Sequence, residues 1–180
     1  MSSGRLLGIC GSLRAASFNR KLMLEAKAIF GPAEFADANL RLPLYDGDLE
    51  TAEGIPPAVQ TLADQIAEAD AVVIACPEYN KGLPGVLKNA LDWISRTKGN
   101  PWRDKPVAIV SATGGRAGGE RTQMTLRMCL LAFRPNVLPG PEVLVGQASD
   151  QFDADGRLTN ERNRAALEEL MAELRRAAGL

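Results

Sequence analysis

The residues best equipped for chemistry lie in Gly11-Ser12-Leu13-Arg14-Ala15-Ala16-Ser17-Phe18-Asn19, which joins an apolar segment, Leu6 to Cys10, to a helix-forming stretch. These types suit a phosphate. Glycine lets the backbone approach a ligand, Ser12, Ser17 and Asn19 carry short side-chain donors, and Arg14 carries a planar charged fork. A helix start adds unpaired N–H groups at a positive dipole end. Spacing excludes two other phosphate patterns. Gly8-Ile9-Cys10-Gly11-Ser12 sets its glycines at the wrong interval for a dinucleotide fingerprint, and no Walker lysine follows. A C-x5-R phosphatase loop fails too, because Arg14 follows Cys10 too closely. The alternative is a serine-capped helix start with a surface arginine.

Two further loops stand out. Pro77-Glu78-Tyr79-Asn80 directly follows the apolar run Ala71 to Cys76, and Gly82-Leu83-Pro84-Gly85 leads into a helix with proline near its first turn. Such a short, stiff loop offers a flat surface and free amides, which suits a planar heterocycle better than a sugar or a peptide. The plainer reading has Tyr79 packing locally and Asn80 stabilising the bend. Thr113-Gly114-Gly115-Arg116-Ala117-Gly118-Gly119 follows Ala112, and its glycines can bring several N–H groups to a ligand's oxygens. It is no Walker loop, since Glu120-Arg121 stands where Lys-Ser/Thr is needed. A mobile glycine hinge is the alternative.

These loops need strands and helices to hold them. Leu6 to Cys10, Glu34 to Ala38, Ala71 to Cys76, Val107 to Ala112 and Glu142 to Val145 read as strands. Ser17 to Phe30, Pro57 to Ala69, Pro84 to Arg96, Gly118 to Phe133 and Asn160 to Ala177 read as helices. The continuous β-branched run Ala71 to Cys76 marks a central parallel strand covered on both faces. Strict alternation of strand and helix predicts an α/β doubly wound parallel sheet with helices on both faces. Ligands then sit at the carboxyl ends of the strands, where the three unusual loops fall. The segment Asp150 to Gly156 has the look of a calcium loop, but its frame puts Gln151 and Arg162 at ligand positions, so it reads as a turn.

The totals narrow the chemistry. The 180 residues suit one domain, residues 1–180, and 21 Lys plus Arg against 22 Asp plus Glu give a net charge of −1 with no long block of one sign. Nothing points to a nucleic acid or a membrane surface. The chain has no histidine, which removes the usual triads, His-containing zinc sites and the commonest general base. Cys10, Cys76 and Cys129 are scattered, so they read as buried free thiols of a cytoplasmic protein rather than metal ligands. No signal core is visible from Met1 to Arg5, and no apolar run is long enough for a bilayer.

On the helix from Pro84, Leu83, Val86, Leu87, Ala90, Leu91 and Ile94 form the core stripe, and Trp93 lies roughly 100° from its centre, at an edge predicted to be exposed. Met128 to Phe133 is apolar all round. A homo-oligomer covering these two helices is the expectation, with deeper packing inside one chain as the alternative.

Taken together, Gly11-Ser12-Leu13-Arg14 with Ser17-Phe18-Asn19, Pro77-Glu78-Tyr79-Asn80 with Pro84-Gly85 and Leu87-Lys88-Asn89-Ala90-Leu91-Asp92-Trp93, and the glycine pairs 114/115 and 118/119 resemble the NADPH-dependent FMN reductase family, with its quinone and chromate reductases. The Phe152-Asp153 to Gly156-Arg157-Leu158 turn also resembles that family, and the likeness runs over nearly the whole chain. The resemblance implies a flavodoxin-like five-stranded sheet of order 2-1-3-4-5. It further implies that FMN is gripped at its phosphate by Ser12, Arg14, Ser17, Phe18 and Asn19, with Arg14 also near the flavin edge. Pro77, Glu78, Tyr79 and Asn80 would flank the isoalloxazine, and Ala112, Thr113, Gly114 and Gly115 would approach the other side. It implies hydride transfer from NADPH or NADH to FMN and on to a quinone-like acceptor or chromate in a ping-pong cycle, with no catalytic side chain, in a homodimer or homotetramer. Lys81 departs from the smaller or neutral polar residue of many relatives. The rival readings are a flavodoxin-type carrier reduced by partner proteins and a phosphate-binding module without redox chemistry.

Overall fold

The computed structural model describes residues 4–180; of the N-terminal stretch read as lacking a signal core, Met1 to Ser3 lie outside the described residues. In chain order the elements are β1 (Gly4–Cys10), α1 (Phe18–Phe30), β2 (Ala33–Asp37), α2 (Gly47–Glu53), α3 (Pro57–Glu68) and β3 (Ala71–Ala75). Then come α4 (Gly85–Ile94), β4 (Pro106–Ala112), α5 (Glu120–Leu130), β5 (Asn136–Val137), β6 (Val143–Val145) and α6 (Glu161–Ala177). The strands pair in parallel in the order β2-β1-β3-β4-β5, with β6 also on β4. This is the expected flavodoxin-like order.

Strand periodicity builds the layers. Leu7, Ile9, Val72, Ile74 and Ile109 face one apolar cluster, with residues of α3, α4 and α5. Leu6, Cys10, Val73 and Val110 face the other, with residues of α1 and α6. Val72, Val73 and Ile74 are fully buried, each worth about 1.5–3 kcal/mol of transfer free energy. Across the α1 and α6 layer, Arg164 pairs with the largely buried Glu25 at 2.9 Å.

Several expectations change. The last strand, read as Glu142 to Val145, is the second half of an interrupted edge: β5 pairs with the start of β4 (Pro106 with Asn136) and β6 with its end (Val110 with Val143). Pro139 and Pro141, lacking N–H groups, fall in the gap. The helix α2 was missed because it has no buried residue to create periodicity, although the Asp46 side chain caps it by accepting from the Asp48 N–H at 2.9 Å. The helix read as Gly118 to Phe133 begins at Glu120, because Gly118 and Gly119 have φ of +62° and +95°. A Cβ on Gly118 would lie 2.5 Å from the Leu144 carbonyl carbon, so only glycine fits there. Its end, Leu131–Phe133, is a single 3₁₀ turn.

Trp93 is not exposed. The loop at residues 42–46 folds over its flank of α4. Trp93 Nε1 donates to the Pro43 carbonyl at 2.8 Å, and the Tyr45 ring meets the indole edge-on with centroids 5.0 Å apart. Asn89 joins the same seam, donating to the Pro43 carbonyl at 2.9 Å and accepting from the Tyr45 N–H at 2.9 Å. In the apolar run, Leu130 is buried while Met128 and Leu131 remain 69% and 76% exposed.

The thiol of Cys76, just beyond β3, is pushed by burial from its ordinary 9.0 up to about 12, against a smaller lowering effect of the Thr122 hydrogen bond. An unfolded thiol ionises from pH 9 while the folded one keeps its proton, so this contribution to stability is full below pH 9 and is lost as pH rises toward 12. Urea midpoints measured across that window should fall less steeply in Cys76→Ala than in the wild type. Parallel slopes would show that the thiol stays out of the alkaline transition.

Candidate functional site

Loops from the carboxyl ends of β1, β3 and β4 meet at one rim of the sheet. The Gly11 N–H bonds the Ala75 carbonyl at 2.9 Å, and a Cβ on Gly11 would lie 3.0 Å from Pro77 Cδ. Glycine there lets the first loop lie against the second. In the first loop Ser17 caps α1, its Oγ accepting from the Arg20 N–H at 3.4 Å. Ser12 Oγ accepts from the Arg14 N–H at 3.4 Å and from the Tyr79 hydroxyl at 3.2 Å. Arg14 is exposed, with no carboxylate partner among the described residues.

The second loop is a tight reversal. Tyr79 and Gly82 exchange two backbone hydrogen bonds of 3.1 Å around Asn80 and Lys81, whose φ values of 51° and 66° fit a type I′ turn. Its base is fixed by the buried Thr122 hydroxyl, which donates to the Pro77 carbonyl at 3.1 Å and lies 3.0 Å from Cys76 Sγ. The third loop is held from beneath: Ser111 Oγ donates to the Gly118 carbonyl at 2.6 Å, and Gln123 Nε2 donates to Ser111 Oγ at 2.9 Å and to the Val143 carbonyl at 3.0 Å. Sequence reading passed over Ser111, Thr122 and Gln123. The signal was a polar residue at a core-facing position, where burial demands a partner.

Between the loops runs a cleft of about 250 Å³, lined by every expected site residue except Asn80 and Gly115. Asn80 sits at the exposed tip of its turn, and the Gly115 carbonyl accepts from the Gln147 N–H at 3.1 Å. Asn19 lines the cleft, but its carboxamide bridges the protein: Nδ2 donates to the Ala112 carbonyl at 2.7 Å and Oδ1 accepts from the Ala112 N–H at 3.0 Å. Phe18 stacks on Phe152 with centroids 5.8 Å apart, which ties the turn at Phe152–Leu158 to the start of α1.

The donor set fits a flavin mononucleotide. The N–H groups of Phe18, Asn19, Gly114 and Gly115 find no partner among the described residues, and Ser12, Ser17 and Arg14 stand beside the first pair. On the cleft wall the buried Glu78 Oε2 has no hydrogen-bond partner among the described residues, and Arg121 comes to 3.9 Å from the other oxygen, Oε1. A buried acceptor left unpaired is costly, and a heterocycle N–H is the type of group that would satisfy it. A Cβ at Gly114 or Gly115 would meet open space on the protein side, so the lack of side chains there leaves room for a ligand rather than for packing. Burial raises the Cys10 thiol above its ordinary value as it does Cys76, leaving both protonated at neutral pH.

Comparison with known proteins agrees with this geometry. The model of the NADPH-dependent FMN reductase family matches residues 5–150. An NAD(P)H-dependent FMN reductase of Pseudomonas aeruginosa is 42% identical over 173 residues, covering 94% of this chain and 92% of that one. A quinone reductase of Escherichia coli is 40% identical over 153 residues, 83% of this chain and 81% of that one. Among solved structures, FerB, a flavoenzyme NAD(P)H:(acceptor) oxidoreductase of Paracoccus denitrificans, superposes with a TM-score of 0.86 at 32% identity, over 98% of this chain and 97% of that chain. The first loop, the tyrosine turn and the glycine loop thus lie inside the matched segment, and the chain belongs to the NADPH-dependent FMN reductase family.

Proposed function

We propose that the protein is an FMN-dependent oxidoreductase that takes reducing equivalents from NAD(P)H and delivers them to quinone-type acceptors. The observation that carries this reading is the convergence of three loops, rich in unpaired N–H groups, on one cleft at the carboxyl ends of β1, β3 and β4. FMN held by these loops would supply the redox chemistry, a two-electron exchange first with the nicotinamide and then with the second substrate in a ping-pong cycle.

The chain's own residues bind and orient. Arg14, Ser12, Ser17 and the first-turn amides of α1 hold the phosphate, the last through the helix dipole. Pro77, Glu78 and Tyr79, with Asn80 at the tip of their turn, flank the ring, and the half-exposed Tyr79 leaves a flat surface at the mouth. The amides of Gly114 and Gly115, beside Ala112 and Thr113, stabilise negative charge gathering at the ring's polar edge. Phe18 and Asn19 keep the first loop in place. The whole chain works as one domain, and free thiols suit the cytoplasm. Among the described residues no helix is long and apolar enough to cross a membrane. The exposed strip Met124, Met128 and Leu131 is covered by a second copy in a homodimer or homotetramer.

Three outcomes check this reading. Protein reconstituted with FMN should lose its yellow colour when NADPH is added without oxygen, and regain it on addition of a quinone. Persistent colour would indicate a carrier, and no bound flavin a module without redox chemistry. Arg14→Ala should weaken FMN binding by about ten- to a hundredfold, the worth of a charge-assisted phosphate contact, while the melting temperature of the apoprotein barely moves. An equal loss in both would make Arg14 structural. Light scattering should report at least a dimer at micromolar protein, and Leu131→Glu should shift it toward monomer; a monomeric wild type would refute the shared surface.

A further inference from the structure

Behind the second loop, three buried groups close on one another. Thr122 Oγ1, in the first turn of α5, donates to the Pro77 carbonyl at 3.1 Å and lies 3.0 Å from Cys76 Sγ, which is itself 3.7 Å from that carbonyl. A hydroxyl has one proton to give. With that proton on the Pro77 carbonyl, the contact to Cys76 runs the other way, from the protonated thiol to Thr122 Oγ1. Cys76 and Thr122 are fully buried, so no solvent competes for either bond. The peptide between Pro77 and Glu78 is thereby held. It is trans, so its N–H points opposite to its carbonyl, and pinning the carbonyl toward α5 turns the Glu78 N–H away from α5. Pro77 and Glu78 both line the flavin cleft, and this N–H finds no partner among the described residues.

We propose that Thr122, oriented by the Cys76 thiol, is a positioning residue that fixes the Glu78 N–H as a donor to the flavin and so sets the reduction potential of the bound cofactor. The inference rests on the oxidoreductase reading. A peptide held at its carbonyl presents its dipole in a fixed direction, and a fixed dipole needs no reorganisation when charge arrives. Negative charge gathers at the ring's polar edge on reduction, so a fixed N–H stabilises the reduced flavin more than the oxidised one. A difference in binding between the two forms is a shift in potential. Ser12, Ser17 and Arg14, which grip the phosphate, meet a charge that reduction leaves unaltered, so they set the affinity of both forms alike.

The test is the midpoint potential of FMN-loaded protein, read by spectroscopic titration with a chemical reductant against a reference dye, with the Kd of oxidised FMN measured on each variant. Thr122→Val, close in shape but without the hydroxyl, should weaken reduced FMN about tenfold more than oxidised FMN, which lowers the two-electron potential by about 30 mV. Thr122→Ser should restore the wild-type potential. Cys76→Ala should lower the potential in the same direction, and Cys76→Ser, which still donates, should not. Arg14→Ala should weaken both redox forms together and leave the potential in place. An unchanged potential in Thr122→Val, or a loss of affinity shared equally by the two forms, would overturn the proposal and leave Thr122 a structural anchor. If Thr122→Val does not fold, Cys76→Ala decides against Cys76→Ser, and equal potentials in the two would overturn the proposal. A chemical reductant reads the potential whether or not NADPH reduces the flavin, so failure of the oxidoreductase reading is seen separately.

Discussion

The site depends on one side chain that makes two hydrogen bonds. Sheet ladders fix neighbouring strands, but β1 and β4 are not neighbours; β3 lies between them. The ladder links them only through β3, which ends at Ala75, and beyond that the Asn19 carboxamide joins them directly, donating to and accepting from the Ala112 backbone across 93 residues of sequence. Both Ala112 groups are buried, so losing the amide would leave a donor and an acceptor unpaired, at about 1–3 kcal/mol each. Asparagine alone supplies both functions at that length. The rest of the rim is built around this tie: Gly11 lies against Pro77, Thr122 anchors the Pro77 carbonyl, and Ser111 with Gln123 supports the glycine loop.

Much of this was legible in the sequence, and what was not shares a physical cause. Strands β1, β3 and β4 could be read because burial on both faces makes continuous apolar runs. Helices α1, α3, α4 and α6 could be read because each packs one face on the sheet. α2 packs no face and left no period. β5 is two residues long and is cut from β6 by prolines. Trp93 was misplaced because its cover comes from Pro43 and Tyr45, nearly fifty residues away, as its hydrogen bond to Pro43 across 50 positions records. Helical periodicity places a side chain around an axis and says nothing of a loop that later crosses it.

The site shows the same division. Residue types and spacing marked the loops, and most of the marked residues do line one cleft. The residues that hold the loops were missed, because Ser111, Thr122 and Gln123 bond to carbonyls and hydroxyls that only the folded chain brings near. Asn19 lines the cleft, yet its carboxamide is engaged by Ala112, a bond that only the folded chain makes visible. The chain has no histidine and its two buried thiols are held protonated, and what the structure does show at the cleft is a set of groups able to bind and orient a ligand.

The central claim is that the capped start of α1, with Arg14 beside it, holds a flavin by its phosphate. Fluorescence titration of the apoprotein with FMN and with riboflavin, which lacks only that phosphate, tests it most directly. The account predicts that FMN binds about tenfold or more tightly than riboflavin and that added salt narrows the gap. Equal affinity for the two flavins would contradict it.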